Sequence, residues 1–134
     1  MKWIMPMMML ILALTACKPP EIEENGLVQY ENYTSTDLFA ICLASTGMQL
    51  FGSSTCGGCV YQKNLFGEAF KHINYVECNL NEPNHNFEYC REMNITHYPS
   101  WVKDEVLYPG SKTFQELSII SGCAYPGGSV RNVG

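Results

Sequence analysis

The chain has 134 residues, of which 46% are hydrophobic, with 8 Lys and Arg against 13 Asp and Glu and a formal net charge of −5. This length suits one compact domain, and the hydrophobic content is sufficient for a core. The acidic balance argues against nucleic acid or anionic lipid headgroups as partners. Seven cysteines in so short a chain indicate disulfides if the protein is exported.

Residues 1–16 have the layout of a lipoprotein signal peptide. Lys2 precedes an apolar run that is too short for a membrane span, and Leu14-Thr15-Ala16-Cys17 resembles a bacterial lipobox. We therefore expect cleavage before Cys17, lipidation of Cys17, and a mature chain that faces the periplasm or the cell exterior. The lipid is the one membrane attachment that we expect. The alternatives are an uncleaved anchor or an ordinary buried helix.

Residues 17–33 are polar and acidic with few large apolar side chains, which predicts a flexible tether. A domain is predicted over residues 34–123, followed by a loose tail over 124–134. Its first helix is expected to begin at an N-cap within Ser35–Asp37 and to end near Ala44. A short buried strand is predicted over Met48–Phe51.

The motif Cys56-Gly57-Gly58-Cys59 opens the second predicted helix. Thr113 and Glu116 form a capping box for the last helix, which Gly122 ends. The remaining predicted elements are a strand over Ile73–Glu77, a helix over His85–Met93, and strands over Ser100–Lys103 and Val106–Tyr108. This order predicts an α/β fold with a mixed central sheet flanked by helices.

Cys56 and Cys59 are predicted to be a redox-active pair. Cys56 follows a strand and a loop at the start of a helix, where free N–H groups and the helix dipole stabilise a thiolate. The spacing places Cys59 beside Cys56 within the first turn, so Cys56 would attack a disulfide and Cys59 would resolve the mixed disulfide. The preceding strand residues Leu50 and Phe51 are apolar and offer no proton acceptor for Cys59.

A structural disulfide and half of a zinc site are the alternative interpretations of the pair. A zinc ribbon requires two closely spaced cysteine pairs, whereas Cys78 and Cys90 are twelve residues apart. His72, His85 and His97 follow no ligand spacing and are expected at the surface. The sequence therefore predicts neither a metal site nor a cofactor.

Several segments together resemble the thioredoxin-like domain of bacterial vitamin K epoxide reductase homologues. The resemblance covers about Met48 to Cys123 and depends on these segments: Phe51–Cys59, Gln62–Gly67, Tyr75–Cys78, Tyr98–Trp101 and Leu117–Gly122. It implies a thioredoxin-like fold and disulfide exchange with a membrane vitamin K epoxide reductase-like oxidase linked to quinone. We expect that oxidase to be a separate chain.

The resemblance also implies roles for four further residues. Pro99 would be cis and would face the cysteine pair, and Tyr98 would present its backbone to an extended substrate. Cys78 and Cys90 would form a structural disulfide, with an electron relay as the alternative. Cys42 and Cys123 lie outside the pattern; parity suggests that they pair, but helices on opposite faces of the sheet could prevent it.

The expected function is that of an extracytoplasmic thiol–disulfide oxidoreductase acting on protein thiols and disulfides. The alternative is a non-enzymatic binding module in which disulfides hold a thioredoxin-like scaffold. A metal carrier is a weaker alternative.

Overall fold

The computed structural model describes residues 32–127, all within the unit Glu31–Gly134. The predicted signal peptide, Cys17, nearly all of the tether and the last part of the tail lie outside the described residues. The elements are α1 (Ser35–Ser45), β1 (Gln49–Gly52), α2 (Gly57–Phe66), a 3₁₀ turn (Gly67–His72), β2 (Asn74–Glu77), α3 (Phe87–Glu92), β3 (Ser100–Lys103), β4 (Val106–Pro109) and α4 (Phe114–Ser121). No helix within residues 32–127 has the length and apolar character to cross a membrane.

The four strands form a mixed sheet in the order β2-β1-β3-β4. β1 is parallel to β2, whereas β3 is antiparallel to both β1 and β4. Parallel neighbours need a long crossover connection, which α2 and the 3₁₀ turn provide. As a result, Gly52 at the end of β1 lies opposite Glu77 at the end of β2, beside the start of α2.

Alternate residues of each strand face two separate cores, because successive side chains point to opposite sides of a sheet. Leu50 belongs to the larger core, which receives α1, α2 and α4, and Phe51 to the smaller core, which receives α3. We call these sides the α2 face and the α3 face. The predicted fold class, a mixed central sheet flanked by helices in a thioredoxin-like arrangement, is confirmed.

Helices α1 and α4 lie together on the α2 face, where the rings of Phe39 and Phe114 are 5.2 Å apart. This arrangement allows Cys42 of α1 to bond to Cys123 after α4, with a Cα–Cα distance of 6.0 Å. The sequence left open that the helices carrying Cys42 and Cys123 lie on opposite faces of the sheet, which would prevent the bond. They lie on the same face.

A second disulfide joins Cys78, directly after β2, to Cys90 of α3. Both cysteines are buried in the smaller core on the α3 face. The bond therefore holds the short α3 helix against the sheet, on the side away from α2.

The N-cap of α1 lies one residue before the predicted range Ser35–Asp37. Thr34 is the N-cap, and its hydroxyl accepts a hydrogen bond from the Asp37 backbone N–H at 3.1 Å. The Asp37 carboxylate accepts from the Thr34 N–H at 2.8 Å and lies 3.1 Å from His72 Nε2. His72 is therefore partly buried against Asp37, rather than the surface histidine that was expected.

A fully buried glutamine connects α2 to β3 and to the loop between β4 and α4. Gln62 Oε1 accepts from the Lys112 backbone N–H at 2.7 Å and from the Trp101 indole N–H at 3.2 Å. Gln62 Nε2 donates to the Lys112 carbonyl at 3.1 Å. These bonds fix the loop between β4 and α4 against the helix that carries Cys59.

We predict that Gln62→Leu lowers the free energy of unfolding by about 3 kcal/mol, because buried donors at Trp101 and Lys112 lose their acceptor. Chemical denaturation of the two proteins measures the difference. Gln115→Leu, at an exposed position of α4, is the matched control and should change stability by less than about 0.5 kcal/mol. Equal stability of Gln62→Leu and the unchanged protein would contradict this account of α2.

Candidate functional site

The two thiols that remain free in the described chain are Cys56 and Cys59. Cys56 is the N-cap of α2, and its Sγ accepts a hydrogen bond from the Cys59 backbone N–H at 3.2 Å. Cys56 is partly exposed, whereas Cys59 is only 1% exposed beneath the helix. A disulfide of another molecule can therefore reach Cys56 but not Cys59.

Burial determines the chemistry of Cys59. Desolvation raises the pKa of its thiol to about 12, and the hydrogen bond to Cys56 and the charge of Cys56 act in the same direction. The Ser53 backbone N–H, 3.4 Å from Cys59 Sγ, and the charge of Lys63 lower it. At neutral pH Cys59 is therefore a protonated thiol, which must lose a proton before it can act as a nucleophile.

Pro99 lies next to the first turn of α2, which carries the cysteine pair. The Tyr98–Pro99 peptide bond is cis, and a Cβ added at Gly58 would lie 3.0 Å from Pro99 Cδ and 3.9 Å from Cys56 Sγ. Pro99 is buried, whereas Tyr98 is 38% exposed. The structure thus brings together Cys56, Cys59 and Pro99, with Tyr98 at the surface beside them.

Gly58 is the spacer residue that packs closely in this site. Its carbonyl accepts a hydrogen bond from Ser111 Oγ at 3.0 Å, which ties the turn to the loop before α4. A Cβ at Gly58 would be 3.4 Å from that Ser111 oxygen, whereas a Cβ at Gly57 would have nothing within 4 Å. The two glycines of the spacer are therefore not equivalent.

We predict that Gly58→Ala slows disulfide exchange about tenfold, because the added methyl group displaces the turn from Pro99 and small misplacements at a reacting centre are costly. Gly57→Ala is the matched control and should react at the unchanged rate. The measurement is the rate at which each reduced protein reacts with a peptide disulfide. Equal rates for the two variants would show that contact with Pro99 does not constrain the site.

A buried carboxylate near the pair was missed by the sequence reasoning. Glu77 is 6% exposed; its Oε1 accepts from the backbone N–H groups of Ser54 at 3.2 Å and Asn79 at 2.9 Å. Its Oε2 accepts from the Tyr75 hydroxyl at 2.9 Å. The strand before Cys56, β1, carries no acid, because the acid lies on the neighbouring strand β2. The sequence does contain a signal for it. Tyr75 and Glu77 are two residues apart on one predicted strand, so their side chains lie on the same face of the sheet, which is the α2 face.

Gly52 leaves a space that Tyr75 and Cys59 share. A Cβ at Gly52 would lie 3.0 Å from Cys59 Sγ and 3.2 Å from the Tyr75 hydroxyl oxygen; we call this space the Gly52 notch. Burial, followed by the hydrogen bond to Glu77, raises the pKa of Tyr75, so its hydroxyl stays protonated. Lys63 Nζ lies 4.1 Å from the centre of the Tyr75 ring.

The histidines lie apart from the pair and from one another. His72 contacts Asp37, His97 Nδ1 is 3.0 Å from Thr96 Oγ1, and His85 Nδ1 accepts from the Phe87 N–H at 3.4 Å. Within residues 32–127 no group of three or more His, Cys, Asp or Glu side chains is arranged to hold a metal ion.

These features define a class of protein. A mixed sheet with helices on both faces carries a free thiol pair at the start of a helix, one thiol accessible and the other buried, opposite a cis-proline. This is the arrangement of a thioredoxin-like redox protein.

Comparison with curated proteins agrees with that class. The chain is 31% identical over 97 residues to the thiol-disulfide oxidoreductase LTO1 of Arabidopsis thaliana. The match covers 66% of this chain but 26% of that relative, so the chain spans about a quarter of the curated protein. No family model matches the chain. The similarity supports an oxidoreductase function in disulfide chemistry.

Proposed function

We propose that the chain is an extracytoplasmic thiol–disulfide oxidoreductase that exchanges disulfides with other proteins through Cys56 and Cys59. The observation that carries this proposal is the asymmetry of the pair. The Cys56 sulfur is accessible at a helix N-terminus. Cys59 lies beside it and is buried, with only 1% of the residue exposed. A disulfide that served only as a structural link would need no such difference in access.

The proposed reaction has two steps. The Cys56 thiolate attacks a substrate disulfide, forms a mixed disulfide and releases one substrate thiolate. Cys59 then loses its proton and attacks the Cys56 sulfur, which releases the second substrate thiolate and leaves the Cys56–Cys59 disulfide. The substrate gains two electrons and the pair loses two; the reverse sequence oxidises a substrate dithiol.

The first step makes the second one easier. In the reduced pair, the hydrogen bond to Cys56 and the charge of Cys56 both raise the pKa of Cys59. Once Cys56 is bonded to a substrate sulfur it carries no charge, so its electrostatic effect disappears and burial is the main remaining obstacle. Formation of the mixed disulfide thus prepares Cys59 to react.

Substrate docking is proposed at the surface around Tyr98 and Pro99. The backbone of Tyr98 would pair with an extended segment of the substrate. Val60 and Tyr61, on the exposed side of α2, are 46% and 57% exposed, and Tyr98 is 38% exposed. These side chains offer apolar contacts to a polypeptide without requiring a particular sequence.

The proposed location follows from the lipobox-like Leu14–Cys17 and from the disulfides. Cys42–Cys123 and Cys78–Cys90 are of the kind that persists in an oxidising compartment. We propose that lipid on Cys17 holds the domain close to a bacterial membrane. A separate vitamin K epoxide reductase-like oxidase in that membrane is the proposed redox partner.

We predict that Cys56→Ser reduces exchange to the uncatalysed background, because the accessible nucleophile is lost. Cys59→Ser should instead accumulate a mixed disulfide between Cys56 and the substrate, since the resolving thiol is missing. Insulin reduction measures the first effect, and mass spectrometry of the covalent adduct measures the second.

The double variant Cys78→Ser, Cys90→Ser is the control, and it should retain exchange once its folding is verified. Loss of exchange in that folded variant would favour an electron relay through Cys78 and Cys90. Undiminished exchange in Cys56→Ser would refute the proposed function and favour a binding module.

A further inference from the structure

Glu77 is a buried carboxylate that lies outside the Cys56–Cys59 pair itself. Burial of a carboxylate is costly unless hydrogen bonds compensate it. Here three donors do so: the backbone N–H groups of Ser54 and Asn79, and the Tyr75 hydroxyl. The first two hold the loops that follow β1 and β2. The third points the carboxylate toward the Gly52 notch.

The Tyr75 hydroxyl lies between Glu77 and the notch. Its proton is donated to Glu77 Oε2 at 2.9 Å, so the lone pairs of its oxygen remain available to accept a proton. That oxygen and Cys59 Sγ both lie within about 3 Å of the same point, the absent Cβ of Gly52. A side chain at residue 52 would crowd both atoms.

Cys59 needs such an acceptor because its thiol is protonated at neutral pH and lies out of contact with bulk water. We propose that Tyr75 and Glu77 form a proton relay that activates Cys59 for the resolving step. The proposal rests on the exchange reaction given above. Tyr75 is the group that borders the reacting thiol, and Glu77 is a positioning residue that acts through Tyr75.

The relay moves two protons in the same direction. The Cys59 thiol proton moves to the Tyr75 oxygen while the Tyr75 proton moves to the Glu77 carboxylate. The Cys59 sulfur then forms a bond to the Cys56 sulfur, and the substrate sulfur leaves with the electron pair of the broken S–S bond. Glu77 afterwards returns its proton through Tyr75 or to the departing thiolate, so no external oxidant or reductant is required.

The charges around Cys59 favour this direction of proton movement. Lys63 Nζ lies over the ring of Tyr75 at 4.1 Å and over Phe70 at 5.5 Å, close to where negative charge develops. Its positive charge favours the anionic form of Cys59. The ionisable groups that interact with Cys59 from α2, β2 and the loop before β3 are Cys56, Lys63, Tyr75 and Tyr98, and Glu77 interacts with the two tyrosines.

Stopped-flow reaction of the reduced full chain with dithiobis(nitrobenzoic acid) separates the two steps, with Cys17→Ser in every protein to remove an additional thiol. Attack by Cys56 releases one coloured thiolate, and resolution by Cys59 releases a second. Cys59→Ser should lose the second release and identifies that phase.

We predict that Tyr75→Phe and Glu77→Gln slow the second phase at least about tenfold at pH 7, the lower range for loss of acid–base assistance. The first phase should keep its rate. Without the relay, hydroxide must remove the Cys59 proton, so the second phase should accelerate about tenfold per pH unit and approach the unchanged protein at alkaline pH.

Tyr89→Phe is the matched control for the lost hydroxyl, because Tyr89 donates to Gln49 Oε1 at 2.8 Å from the α3 side. Glu116→Gln is the control for Glu77→Gln, because the Glu116 carboxylate also accepts a backbone N–H, that of Thr113 at the start of α4. Both should leave the second phase unchanged.

A second phase that is unaffected in Tyr75→Phe, or slowed by the same factor at every pH, would overturn the relay while leaving the exchange reaction intact. If the protein that keeps Tyr75 and Glu77 shows no second phase, the exchange reaction itself is refuted.

Discussion

Burial of the Cys59 sulfur against Gly52 is the contact on which the rest of the site depends. It requires a residue without a side chain at the end of β1, because a Cβ there would lie 3.0 Å from the sulfur. Burial in turn makes Cys59 a weak acid, which leaves Cys56 as the accessible reactive group. The parallel pairing of β1 with β2 then places Glu77 opposite Gly52, where an acid is within reach of the buried thiol through Tyr75.

The two disulfides stabilise the fold, whereas Cys56 and Cys59 are free thiols. Cys42–Cys123 closes a sequence separation of 81 residues and joins α1 to the end of α4. Cys78–Cys90 closes a separation of 12 residues on the other face of the sheet. Cross-links of this kind restrict the unfolded chain, so the domain can keep its structure during the opening and closing of Cys56–Cys59 that we propose.

Local signals in the sequence were sufficient for the order of elements and for the thiol pair. The capping box of Thr113 and Glu116 begins α4 where predicted, because both partners are close in the chain. The hairpin of β3 and β4 also lies where predicted, although its turn, Asp104–Glu105, lacks the usual glycine. Both residues have positive φ, 50° and 64°, in the manner of a tight hairpin turn that usually contains glycine. Strand pairing on either side determines that conformation.

Tertiary placement was the part that sequence reasoning could not supply. The pairing of Cys42 with Cys123 depends on which face of the sheet α1 occupies, and the periodicity of a single helix does not determine that face. Likewise, Glu77 is not on the strand that precedes Cys56 but on the next strand along the chain. Its relevance comes from strand order and register, which bring β2 beside β1.

The most direct measurement of the central claim is a redox titration of the folded chain in glutathione buffers, with alkylation and mass spectrometry to identify each cysteine that opens. The account predicts that Cys56 and Cys59 interconvert together between dithiol and disulfide. Over the same range Cys42–Cys123 and Cys78–Cys90 should stay closed and the chain should stay folded. If Cys56–Cys59 opened only when the chain unfolded, or after either of the other two disulfides, the pair would be structural and the account would be contradicted.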